Sequence, residues 1–455
     1  MKATKHRIAF RRTVIAAAAF LSAVSPAFAQ DKATLDLLVK KGVITQAEAD
    51  GVAKSSATVP VTAKDSAVKS LKLEGLIQTQ LDWLSTDDKA AGASNPPATA
   101  EFLIRRAYFG ALADLGNGWN GEIEFDFASG AKAAGGYQAA LTPQPNFEKI
   151  TITKRLDDLY GNLTAGYRKV NFTLEEYTAL SALKPIERSI LSNYFDSGFK
   201  GNSATTSTGT RPGFASRHTG IYWDGRVFDT GFFYGVAVTN GVQSALSYTT
   251  AGGLNRFAGW AYLGYNGTLG DSLVYKTGVN FGYTPEGNSL AAQSNSIYGY
   301  NPYVSLTYDK NWQLDAEFIQ AVITNGRGRN AAGTVTERAA PYGFNLTPSY
   351  KLSKDWEIVG RYTYLFTDGR GTTISDVVND GTDTAVAGTA NRYNDAQSFY
   401  IGINWNAVGD SVKVLLGYEW TEFTHRNVAG NQAAASLTGP RADVSGLRAR
   451  LQLQF

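Results

Sequence analysis

The sequence predicts an all-β protein, a 16-stranded antiparallel transmembrane β-barrel preceded by a short N-terminal helical segment. Three observations predict it. From Leu71 onward apolar and polar residues alternate, the period that sends successive side chains to opposite faces of a strand. The links between the strands so defined are alternately short and long, as in barrels with tight turns on one side of a membrane and loops on the other. Trp119, Trp223, Trp312, Trp356 and Trp405 each lie beside a short link, in phase with the apolar set. The headgroup level of a membrane attracts tryptophan there, and a soluble core does not.

Composition closes off other classes. With 0 Cys among 455 residues, a disulfide scaffold and a thiolate metal site are excluded. A net charge of +3 is small for a nucleic-acid binder, so no nucleic acid is expected. Beyond the N-terminus no apolar run is long enough for a spanning helix.

Residues 1–29 read as a secretory signal: basic Lys2, Lys5, Arg7, Arg11 and Arg12, an apolar Thr13–Val24 stretch, and Ala27-Phe28-Ala29 at the cleavage site. Residues 30–70 read as a short helical periplasmic segment and linker. Leu35, Leu38 and Val39 have helical spacing, Gly42 can end that helix, and Thr45 with Glu48 forms a capping box. Residues 71–455 form the barrel. Its strands are expected near 71–83, 100–114, 118–128, 147–156, 162–169, 213–224, 227–239, 256–268, 271–283, 297–309, 312–323, 341–352, 355–367, 396–407, 410–423 and 443–455. An even number lets both ends lie on the periplasmic side of the cell outer membrane of a Gram-negative bacterium. The apolar face then meets outer-membrane lipid, and Phe455 ends the last strand where barrel assembly machinery would read it.

A closed barrel leaves no strand edge in lipid, and sixteen strands leave a water-filled lumen. Parity places Lys149, Arg155, Arg361, Arg448 and Arg450 on the lumen wall, with Glu74, Glu122, Glu124, Asp126, Glu357 and Glu419 among the acids. Arg105 and Arg106 cannot both face inward without a bulge, and apolar flanks leave their phase open. The longest link, Val170–Pro212, is too apolar for a solvated tail and is expected to fold into the barrel. Lys169, Lys184, Arg188 and Arg168, with Arg105 or Arg106 on the wall, are the expected pore constriction. Glu175, Glu176 and Glu187 are the charges that could neutralise it. No catalytic residue, metal or cofactor is expected. Ser216 with His218 is the sole hydrolase candidate.

Gly166-Tyr167-Arg168-Lys169-Val170-Asn171-Phe172-Thr173-Leu174-Glu175-Glu176 resembles the stretch G-Q-x-K-x-P-F-G-L-E-E of the phosphate-selective porin O and P family. Glu187-Arg188-Ser189, Arg217 with Gly220, and the paired Arg105-Arg106 are similar to further motifs of that family, in the same order. Here Tyr167, Asn171 and Thr173 replace its Gln, Pro and Gly. The resemblance implies an outer-membrane porin, a homotrimer whose inward-folded third loop narrows a channel for passive diffusion of small hydrophilic solutes. It implies a preference for small anionic solutes, including phosphate or polyphosphate. The alternatives are a general or cation-tolerant porin, an outer-membrane hydrolase, or an adhesion barrel.

Overall fold

A computed structural model describes residues 58–60, 67–89, 98–128, 146–157, 160–196, 212–227, 230–241, 257–285, 296–327, 337–372, 374, 392–427 and 441–455. The signal sequence and helical segment expected before residue 58, and the loop stretch 197–211, lie outside these residues. The long strands are β1 Ser70–Asp88, β2 Thr99–Gly116, β3 Trp119–Asp126, β4 Asn146–Asp157, β5 Gly161–Lys169, β6 Arg217–Arg226, β7 Phe232–Asn240, β8 Phe257–Leu269, β9 Leu273–Thr284, β10 Ile297–Tyr308, β11 Trp312–Arg327, β12 Tyr342–Lys351, β13 Trp356–Phe366, β14 Arg392–Asp410, β15 Val412–Asn427 and β16 Ala442–Gln454. They are the sixteen expected strands, in the expected order.

Each strand pairs antiparallel with the next. β16 pairs with β1 from Ala442↔Asp88 to Gln454↔Leu76 and closes the barrel. Every spanning backbone is thereby paired on both sides, the condition for crossing lipid. Short strands Thr58–Pro60 and Glu337–Ala339 pair antiparallel with the ends of β1 and β11. The first falls in the stretch expected to be linker. Gly75 and Phe455 exchange two backbone hydrogen bonds at the seam, of 3.0 and 3.1 Å. Turn chemistry accounts for the tight hairpins: Asn117 and Gly118 both have positive φ, 52° and 75°, as the right-handed twist of the flanking strands requires. β6 starts at Arg217, not at 213. Phe214 and Ala215 are buried before it, so their apolar character marks packing and not a strand.

The outward set is apolar and open to lipid: Ile401 is 62 % exposed and Ile152 58 %, while Gln80, Thr151 and Thr363 on the inward set are buried. Trp119, Trp223, Trp312 and Trp356 are exposed at the turn end, and Trp356 stacks on Trp405 with ring centroids 5.7 Å apart. A second aromatic belt, Phe281, Tyr283, Tyr298, Tyr300 and Phe399, lies toward the loop end. On β13, Trp356 and Tyr364 bracket the apolar band. Their spacing corresponds to roughly 20 Å of height at the usual strand tilt, near the ~25 Å apolar band of such barrels.

The barrel interior as candidate functional site

The chain between β5 and β6 turns inward, against the walls on the far side. Two short helices shape it, α1 Leu174–Tyr177 and α2 Ile190–Phe195. Thr173 caps α1 by accepting from the Glu176 amide at 3.3 Å, and Ser189 caps α2 by accepting from the Ser192 amide at 3.1 Å. Helices this short do not stand alone, so docking holds them. Phe172, Leu191, Tyr194 and Phe195 are wholly buried in one cluster with inward-facing Trp260, Ile319, Ile323 and Leu365. Phe214 stacks on Trp260 at 5.9 Å. The inner wall is therefore not polar throughout: toward the loop end it is apolar and supplies the surface on which the loop folds.

Nearer mid-barrel the docking is ionic. Arg105 grips Glu187 in a two-pronged bond, Nε to Oε1 at 2.8 Å and Nη2 to Oε2 at 3.1 Å. Arg106 lies 3.6 Å from the same carboxylate, and Arg450 donates to it from β16. Both members of the arginine pair face inward. The register slips between Gln78↔Arg106 and Thr79↔Ile104, leaving Arg105 as the bulged residue. Ile104 and Phe109 stay outward on either side of the slip, 58 % and 43 % exposed. Burial alone would raise the Glu187 carboxyl, but Arg105, Arg450 and Arg106 outweigh it and hold it well below the usual range.

Glu175 receives Arg361 Nη1 at 2.8 Å, and the other Arg361 nitrogen meets Glu419 at 2.8 Å. Arg448 bridges Glu419 and Asp82, at 3.3 and 3.6 Å. Glu176 takes Arg188 at 2.7 Å and Lys169 at 3.1 Å. Burial opposes its ionisation, yet these two cations keep its pKa at about 2. Lys184 reaches Glu357 on β13 at 2.6 Å. Arg168 pairs with Asp224 at 2.8 Å and lies over the Tyr222 ring. Gly166 has φ 138°, and a Cβ there would fall 2.1 Å from the Ile150 carbonyl. Alternation lapses after it, and Arg168 and Lys169 both reach acids on the inner side. Lys149 binds Glu122 at 2.6 Å. Arg155 has the parity of inward Thr151 and Thr153 and lies exposed at the turn end of β4.

Each expected constriction residue thus faces an acid. Sequence reasoning did not single out the amides beneath the loop: Asn280 donates to the Phe172 carbonyl at 2.8 Å, and Asn345 to Ser189 Oγ at 2.8 Å. Asparagine at inward positions of strands that otherwise avoid it was the available signal. Between the docked loop, which contributes Tyr177, Ala179, Leu180 and Ser181, and the wall of the first strands lies a cavity of about 370 Å³. Glu74, Glu124, Glu148, Lys149, Arg217 and Tyr177 are among its walls.

His218 does not serve Ser216. Its ring nitrogens lie 3.0 and 2.9 Å from the carbonyls of Asn240 and Phe214, and it packs on Trp260.

A closed barrel with lipid-facing exterior, aromatic belts, an inward loop and a charged cavity beside it is a channel of the porin type. The chain belongs to the phosphate-selective porin O and P family, whose model matches residues 78–455. By family it is a channel of the bacterial outer membrane. No curated protein matches it in a sequence comparison. Similar solved structures include the outer membrane channel DcaP of Acinetobacter baumannii, 13 % identical, covering 87 % of this chain and 100 % of that one with a TM-score of 0.54. The anion-selective porin from Comamonas acidovorans is 12 % identical, covering 85 % and 99 % with a TM-score of 0.51. OmpF of Salmonella typhi is 11 % identical, covering 86 % and 98 %, also with a TM-score of 0.51. At these identities the likeness is one of fold.

Proposed function

We propose that the channel prefers small anions, passes them by passive diffusion, and is narrowed by the loop between β5 and β6. The observation that carries this is the arrangement of Arg105, Arg106 and Arg450 around one carboxylate, Glu187. Three guanidinium groups against one acid leave local positive charge, and in a narrow, partly dehydrated lumen Coulomb attraction exceeds that in bulk water. Lys169, Lys184 and Arg188 hold the loop in place, Arg168 ties β5 to β6, and Arg361 and Arg450 brace the loop from the far wall, with Arg448 behind them on Glu419. The same reading makes the chain a homotrimer of a Gram-negative outer membrane, without catalytic activity, exported by residues 1–29 and assembled through Phe455. Phosphate or polyphosphate is among the anions it would carry.

One observation favours a second reading, a cation-tolerant general porin. Glu74, Glu124 and Glu148 line the cavity together, and Glu124 has no ion pair among the described residues. Reversal potentials of Arg105→Gln/Arg106→Gln in a potassium chloride gradient decide between them. The anion reading expects a shift toward potassium. An unchanged potential in a conducting channel supports the second reading.

A further inference from the structure

We infer that Lys276, held between Phe233 and Tyr303, is a separate anion station on the wall of β9, and that the two rings are its positioning residues. This rests on the anion-preferring reading above. Lys276 shares the inward parity of Asn280, which is wholly buried beneath the loop. Its Nζ lies 5.3 Å from the centroid of Phe233 and 5.6 Å from that of Tyr303. Both rings lie over glycines of neighbouring strands: a Cβ on Gly264 would fall 2.1 Å from Phe233 Cζ, and one on Gly278 would fall 2.7 Å from the Tyr303 hydroxyl. The absence of those side chains is what lets the rings lie against the wall beside the lysine.

The expected constriction cations all sit against carboxylates, and an ion pair presents a dipole to a passing ion. Ring faces hold an ammonium by their quadrupole and leave its full charge in place. No carboxylate lies within ion-pair distance of Lys276 among the described residues. Asp315, the acid that acts on it at longer range, is occupied by Gln313 Nε2 at 3.1 and 3.0 Å and by the Ser305 hydroxyl. Arg226 adds positive potential at the same point. Lys276 is the fourth residue of β9 from its turn end, whereas Arg106 lies ten residues from the turn end of β2. An anion leaving the arginines would meet Lys276 lower in the barrel. Conduction favours such spaced, moderate sites over one deep well.

The test uses the purified full-length channel in a planar bilayer under a potassium chloride gradient. Lys276→Gln should lower the chloride-to-potassium permeability ratio about threefold while unit conductance shows an open barrel. Lys276→Arg and Tyr303→Phe should keep the ratio, and Tyr303→Leu should lower it with the lysine still present. Should Lys276→Gln not insert, Lys276→Met is measured in its place with the same expectation. A wild-type channel that prefers chloride, with a Lys276 variant whose ratio is unchanged, overturns the station and leaves the anion reading standing. A wild-type channel without chloride preference removes both.

Discussion

Glu187 ties a loop to two strands from different parts of the chain, and it is 4 % exposed. Breaking a buried ion pair from one side leaves uncompensated charge, at a cost of about 3–5 kcal/mol. Glu187→Gln should therefore loosen the loop, read as faster proteolysis of the 170–196 segment, and should raise chloride preference because three guanidinium groups lose their counter-charge. Titration at this scale has two signs. Glu176 and Glu187 titrate lower folded than unfolded, so their contribution is present above the ordinary carboxylate range and is lost as pH falls through the folded values. Loop protection should hold from neutral pH to about pH 4 and fail on approach to pH 2. Asp196 runs the other way. Burial, then Glu176, push its carboxyl well above the usual value, with Thr173 and Ser192 hydroxyls donating to one oxygen. Its stabilising contribution is present below the ordinary value and declines as pH rises toward the folded one. Asp196→Asn should then gain thermal stability over the wild type as pH is raised, and a difference that does not vary with pH would contradict this. The Arg105-Arg106 pair marks the limit of what single residues reveal. Both have apolar neighbours, so only the register slip against β1 decides their direction.

Strands were legible because their periodicity runs over many residues and their turns carry Gly, Asn or Lys at positive φ. The loop was legible as an inward element from its apolar content, but its helices were not. They have four and six residues, too few for a helical period, and their caps, Thr173 and Ser189, were not read as such. Their docking depends on walls contributed by strands far along the chain. The seam offers a test at this scale. A Cβ on Gly75 would fall 2.3 Å from Phe455 Cζ, so the ring occupies the place of the missing side chain. Gly75→Val and removal of Phe455 should each reduce outer-membrane levels at native expression, and normal levels of both variants would separate the seam from assembly. On the lipid side, Ile401→Arg should destabilise the folded barrel by about 2–4 kcal/mol in detergent-to-bilayer refolding, and an unchanged refolding free energy would contradict its placement in lipid.

At the scale of the molecule, the exterior follows from lipid and the interior from a division of labour. One side of the lumen is filled by the loop, held by apolar packing toward the loop end and by ion pairs nearer mid-barrel. Between the loop and the first strands lies a cavity with charges of both signs on its walls. The sequence showed that inward charges of both signs are nearly balanced, but parity cannot tell which cations are neutralised, because the partners lie on strands distant in sequence. The central claim is a water-filled channel that prefers anions. The measurement that tests it most directly is the zero-current potential of the purified wild-type protein in a planar bilayer separating unequal potassium chloride solutions. The expected result is stepwise conductance with a potential set mainly by chloride. A protein that inserts without conducting, or a potential set mainly by potassium, would contradict it.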